Sequence, residues 1–198
     1  ALAVAPPARA HLAVLAGTFV LLKAVAYFFD RYELLFSDRK AAESGAKLFF
    51  TQSLAHNPTG SSLTPAVAYR LLQVATRHGL LIVESDPFAD ILPAAHPRLA
   101  SLDQLERVIH VGTFAKTLSA SLRCGYVVAA PRLIERLGAL KMVTSVNSSG
   151  YVERIVHDLI TSGQYRRHLK RLRWRVDAAT AAAQATLGRL GLPMFGPP

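Results

Sequence analysis

The order of local signals predicts an α/β fold in which helices flank a mostly parallel or mixed sheet. Three observations carry that expectation. Short apolar runs of strand length alternate with longer segments of helical periodicity. Caps and breakers (Thr64-Pro65, Gly79, Pro131) mark the transitions between them. Residues 47–84 make a complete strand, helix and strand unit. With 198 residues, 51% of them hydrophobic, the chain has the material for a sizeable core and is not compositionally disordered.

Residues 47–52 read as a short apolar strand leading into the turn Asn57-Pro58-Thr59-Gly60. Thr64 then offers a side-chain cap and Pro65 a first-turn proline, so a helix is expected to run to His78. Val67, Leu71, Val74 and Ala75 give it one apolar face, and Gly79 suits the left-handed position after its end. Residues 80–84 form a continuous apolar run that suits a strand covered on both sides. Residues 107–112 and 125–130 are two more strands, which leaves Lys116 and Arg123 in the connection between them. Pro131 opens a helix to about residue 143, a second spans residues 150–162, and a long third runs over residues 164–190. In the third, Tyr165, Leu169, Leu172 and Val176 share one face, and the alanine-rich residues 176–187 favour helix by propensity.

The run Gly112-Thr113-Phe114-Ala115-Lys116-Thr117-Leu118, with Arg123 seven residues after the lysine, carries the chemistry. A lysine just past a strand, in small and hydroxylated company with an arginine close behind, suits an amine that condenses with an aldehyde and a guanidinium that grips a phosphate. Pyridoxal phosphate presents both groups. Each residue also has a plainer reading: a solvated lysine, a surface ion pair for Arg123, a strand-end hydroxyl bonding its own backbone for Thr113, and an Asx-turn for Asn57.

Three motifs in fixed order, His56-Asn57-Pro58-Thr59-Gly60, residues 81–90 (LIVESDPFAD) and the lysine run with Arg123, resemble the fold-type I aminotransferases of class I/II. Within that family, residues 99–109 and 119–126 look most like the aminotransferase-like domain of MocR-type regulators of the GntR family, which join a DNA-binding head to such a domain. The resemblance runs from about Lys47 to Pro198. It implies a truncated transferase-like large domain, with 1–46 a poorly matched segment, 47–163 the cofactor-binding part, and 164–198 the interdomain helix and the start of a small domain. It further implies pyridoxal 5'-phosphate as cofactor, held as a Schiff base on Lys116, with Arg123 and Thr113 on the phosphate and Asn57 on the phenolic oxygen.

The family pattern asks for a carboxylate at the pyridine nitrogen, and here the chain departs from it. Ser85 occupies the first of the two usual acid positions, and Phe88 stands where many aminotransferases carry a tyrosine. Asp86 remains the candidate acid, but neighbouring strand residues point to opposite faces, so it serves only if the strand end slips or twists by one residue. The implied activity is amino-group transfer or the sensing of an amine or amino acid. The alternatives are the effector domain of a regulator with little turnover, or a fragment that binds nothing. Homodimers are expected by resemblance, and DNA binding is expected only through sequence outside these 198 residues.

Six of the positive charges behind the formal net +10 lie at Arg166, Arg167, Lys170, Arg171, Arg173 and Arg175, with no acid among residues 166–175. The apolar period continues through this segment, so it reads as a solvated helix face more than a nucleic-acid surface. A single cysteine, Cys124, excludes an intrachain disulfide and fits a cytosolic origin, and no histidine shows metal-ligand spacing. Residues 12–29 are apolar but broken by Gly17, Thr18 and Lys23, which favours buried strands or a core helix over a membrane span.

Overall fold

The computed structural model describes residues 11–14, 41, 43, 45–57, 59–88, 90–92 and 97–192, the first four at the level of the backbone. Among the described residues, five strands, β1 (His11–Val14), β2 (Leu48–Thr51), β3 (Leu81–Asp86), β4 (Val108–Thr113) and β5 (Gly125–Ala129), form one sheet in the order β1-β5-β4-β3-β2. The sheet is mixed, as expected. β2, β3 and β4 run parallel, β5 is antiparallel to β4, and β1 is antiparallel to β5. The carboxyl ends of β2, β3 and β4 and the start of β5 therefore share one edge, where open α/β sheets bind their ligands.

Helix α1 (Pro65–His78) has the limits that its caps dictate. Thr64 Oγ1 accepts a hydrogen bond from the Val67 amide, and Gly79 adopts φ 66° and donates its amide to helix carbonyls. Its apolar face (Ala68, Leu71, Val74, Ala75) packs with Phe49, Ile82 and Val108 of the sheet. Alternate strand residues point the other way, and there Ile109, Val111, Val127 and Ala129 meet Leu133, Ile134 and Leu137 of α3 (Pro131–Thr144).

Between them lies α2 (Leu99–Asp103), which at five residues is too short for periodicity to reveal. Its N-cap, Arg98, makes no side-chain capping bond. The cap comes from the sheet instead: the Glu84 carboxylate of β3 accepts the amides of Leu99 at 2.8 Å and Ala100 at 3.1 Å.

Helices α4 (Gly150–Thr161) and α5 (Gln164–Arg189) pack over the β4–β5 end of the sheet, where Phe114, Cys124, Val156, Tyr165 and Leu169 form a further core. Of the apolar face expected on α5, Tyr165 and Leu169 are buried, while Leu172 and Val176 are only half-buried. The apolar stretch 12–29 begins inside β1, and its residues beyond Val14 lie outside the described ones. No helix among the described residues is long and apolar enough to cross a membrane.

Candidate functional site

Four segments meet at the carboxyl edge of the sheet, and each carries a residue singled out from the sequence. The first is the turn after β2. Gly60 donates its amide to the His56 carbonyl at 2.6 Å, and His56 Nδ1 lies 3.0 Å from Thr59 Oγ1. Gln52 braces the approach, with Nε2 donating to the Ala55 carbonyl at 2.8 Å and Oε1 accepting the Asn57 amide at 3.4 Å. These bonds build the turn without the Asn57 side chain, which is exposed and free of partners among the described residues.

The second segment is the end of β3. Pairing with β4 stays regular to its last residue, with Ser85 opposite Val111 and Asp86 opposite Gly112. The strand does not slip, so Ser85 and Asp86 face opposite sides. Asp86 is 1% exposed, its Oδ2 accepts from Arg98 Nε at 2.6 Å, and its Oδ1 has no hydrogen-bond partner among the described residues. Ser85 is half-buried on the side that Val111 and Thr113 share. Phe88 is half-buried, and its carbonyl accepts the amides of Ile91 and Leu92.

The lysine lies in the third segment, the turn after β4, closed by the Leu118 amide on the Phe114 carbonyl at 2.8 Å. Thr113 Oγ1 accepts the Ala115 amide at 3.1 Å and donates weakly to the Cys124 carbonyl at 3.4 Å. The hydroxyl thus bonds the local backbone first and can still turn its proton outward. Lys116 is exposed.

The fourth segment leads into β5 through a short 3-10 turn, Ala120–Leu122, and ends at Arg123 with φ 49°. A left-handed conformation at a non-glycine residue stores about 1 kcal/mol of strain, the kind of cost that gathers at functional sites. Like Lys116, Arg123 is exposed, and neither side chain has a hydrogen bond or ion pair among the described residues.

Behind this edge the packing is dense. Tyr126 lies opposite Gly112, and a β-carbon at Gly112 would stand 2.1 Å from the Tyr126 ring. The glycine is what allows the ring to cross the strand. Burial, then the charges of Asp90 and Asp86, push the Tyr126 phenol up to about 12. Phe114 packs on Tyr126 and edge-on to Tyr165, with ring centroids 5.6 and 5.7 Å apart.

One set of contacts had no signal in the sequence. The Tyr165 hydroxyl lies 2.6 Å from Asp90 Oδ2 and 2.9 Å from Thr117 Oγ1, and His168 Nε2 donates to the Thr117 carbonyl at 2.7 Å. Arg173 Nε adds a bond to the Asp90 carbonyl at 2.8 Å. Helix α5 therefore grips the residue next to Lys116 from both its side chain and its carbonyl. Burial, aided by Asp90, also raises the Tyr165 phenol.

The family model for aminotransferase class I and II matches residues 29–198. The chain belongs to that family. It is also 32% identical over 129 residues to the HTH-type transcriptional regulator NorG of Staphylococcus aureus, covering 65% of this chain and 29% of the regulator. The chain thus spans about three tenths of that relative's length. Among solved structures, the multiple substrate aminotransferase of Thermococcus profundus superposes with a TM-score of 0.71 at 24% identity, over 77% of this chain and 39% of that one. The α-aminoadipate aminotransferase LysN of Thermus thermophilus does so with 0.67 at 27% identity, over 78% and 42%.

Pyridoxal phosphate is the general cofactor of this family. An amine, a guanidinium, a hydroxyl and a side-chain amide on the connections at one edge of the sheet, three of them without partners among the described residues, suit an aldehyde, a phosphate and a phenolate. The donor set fits attachment. A carboxylate for the pyridine nitrogen is not part of it on the Thr113 side, where β3 offers the Ser85 hydroxyl.

Proposed function

We propose that this chain holds pyridoxal phosphate at the carboxyl edge of its sheet, bound covalently through the Lys116 amine, and serves as the amine- or amino-acid-sensing domain of a transcriptional regulator. What supports this reading is topology: Thr113, Lys116 and Arg123 lie on the connection between β4 and β5, the turn of Asn57 follows the parallel β2 toward the same edge of the sheet, and the Lys116 and Arg123 side chains have no hydrogen bond or ion pair among the described residues. Arg123 and the Thr113 hydroxyl would hold the phosphate, and the Asn57 amide would donate to the phenolic oxygen. The LysN aminotransferase was crystallised with a phosphopyridoxyl-leucine compound bound to it, which is the class of adduct expected here.

Bound in this way, the cofactor supplies an imine that exchanges with incoming amines and an electron sink for bonds at their α-carbon. The sink is strong only when a carboxylate keeps the pyridine nitrogen protonated. On this reading Ser85 is the β3 residue on the Thr113 face that would meet the pyridine nitrogen, while Asp86 is committed to Arg98 on the other face. A hydroxyl at Ser85 cannot hold that proton, and Phe88 cannot donate. Both departures leave amine exchange intact and weaken turnover, which agrees with the match to an HTH-type regulator. Residues 47–163 form the cofactor-binding part of a cytosolic homodimer, 164–198 lead to the small domain, and DNA is bound by sequence outside the chain.

Incubation with pyridoxal phosphate, borohydride reduction and peptide mass spectrometry test the attachment. A pyridoxyl group on Lys116 that is absent from Lys116→Ala is expected. An adduct on another side chain, or none, overturns the reading. Rapid exchange with amino acids without keto-acid release marks a sensor, whereas stoichiometric keto acid in one half-reaction marks a transaminase.

A further inference from the structure

The basic residues at the start of α5 are not spread evenly. A cleft of about 340 Å³ opens between α5, α4 and the lysine turn, floored by Leu118, Leu159 and Tyr165 and rimmed by Gln164, Arg167, His168 and Arg171. That volume lies in the lower range of small-molecule sites. Arg167 and Arg171 are one helical turn apart on the same face, both exposed, and neither guanidinium has a hydrogen bond or ion pair among the described residues.

Arg167 is also placed against the electrostatic grain. Its Nη1 lies 3.7 Å from where a Gly163 β-carbon would stand, so the guanidinium folds back over the N-terminal end of α5. That end has no acidic residue in its first turn and no side-chain cap. A helix start is already positive, and a guanidinium there adds charge of the same sign. The neighbouring acids are engaged elsewhere, Asp90 with the Tyr165 hydroxyl and Asp158 with Arg154 and His157.

We propose that this cleft is a second anion-binding site, separate from the Lys116 site, which takes a small organic polyanion with two oxyanion groups, such as a dicarboxylate or an organic phosphate. Arg167 and Arg171 each meet one oxyanion, Gln164 donates from the rim, and the apolar floor receives the carbon skeleton. His168 reports occupancy inward. Its Nε2 holds the Thr117 carbonyl at 2.7 Å, so a ligand that moves the ring pulls on the residue beside Lys116.

The test is a titration of the full chain with sodium pyrophosphate, followed by calorimetry and by the fluorescence of Trp174. That side chain is the single tryptophan of the sequence, is 72% exposed and lies three residues beyond Arg171. Saturable binding is expected, weakened about tenfold or more by Arg167→Gln with Arg171→Gln, since each removes a charge-assisted bond. The set Arg166→Gln, Lys170→Gln and Arg175→Gln, on the same helix away from the cleft, is expected to leave it within about twofold. All substitutions are at exposed positions, and far-ultraviolet circular dichroism checks that each variant is folded.

Non-saturable binding, or equal weakening by the two α5 sets, shows only diffuse charge and overturns the site. Loss in Arg123→Gln moves the anion to the cofactor phosphate position and also overturns it. A short DNA duplex that binds more tightly than pyrophosphate, and is weakened as much by the off-cleft set, assigns the face to nucleic acid instead. Cofactor attachment at Lys116 is read separately by borohydride trapping, so failure of the cleft and failure of the cofactor reading give different results.

Discussion

Glu84→Gln is the sharpest test of how the site edge is held. The carboxylate is fully buried and accepts from the Ser53 hydroxyl, the Leu99 and Ala100 amides and His110 Nδ1, the last at 3.2 Å. Burial alone pushes this carboxyl up, and the bonds from His110, Ser53, Ala100 and Leu99 outweigh burial and hold it below the usual carboxylate range. Glutamine keeps the shape and one oxygen, which can still serve Ser53 and Leu99. Its amide nitrogen then faces the Ala100 amide, donor against donor, and the charge that bonds His110 is gone.

One buried amide left unsatisfied costs about 1–3 kcal/mol. With the weakened His110 contact, the total is about 2–4 kcal/mol at neutral pH. Because the folded carboxyl is depressed, the stabilisation is fully present above the unfolded value of 4.5 and is lost as pH falls through the lower folded value. The gap between wild type and variant, read by urea unfolding with circular dichroism, should therefore be constant at neutral pH and close below 4.5. A variant within about 0.5 kcal/mol of wild type, or a gap that persists in acid, refutes the reasoning.

Four further outcomes are expected. Gly112→Ala drives a β-carbon into the Tyr126 ring and costs about 1–3 kcal/mol in thermal unfolding, and Tyr126→Ala in the same chain recovers part of that loss in a double-mutant cycle. Tyr165→Phe removes the bonds to Asp90 and Thr117 and costs about 1–2 kcal/mol, measured by denaturant midpoint. The Tyr126 phenol, raised in the folded state, contributes stability that is present below pH 10 and lost as pH rises toward about 12, so Tyr126→Phe flattens the alkaline limb of the stability profile. Ser85→Asp places a carboxylate on the Thr113 face and should slow release of bound pyridoxal phosphate about tenfold, while Asp86→Asn leaves release within about twofold and lowers stability by breaking the Arg98 pair.

Local chemistry was legible in residue order wherever a short segment settles its own conformation. Thr64, Pro65 and Gly79 set the limits of α1, and Pro131 sets the start of α3, because capping and proline effects act within one turn. The opposite facing of Ser85 and Asp86 followed from strand pleating, and regular pairing preserves it. The ordered motifs named the family and put Lys116 and Arg123 on one connection.

Tertiary structure alone decided what long-range contacts decide. It set the antiparallel placement of β1 and β5, the capping of five-residue α2 by Glu84 from 15 residues upstream, and the grip of Tyr165 on Thr117 and Asp90 across 48 and 75 residues. Such pairings depend on which surfaces meet once the sheet has assembled. No periodicity or local propensity encodes that meeting, so the sequence could supply the reactive groups while only the folded chain could show which of them stay free.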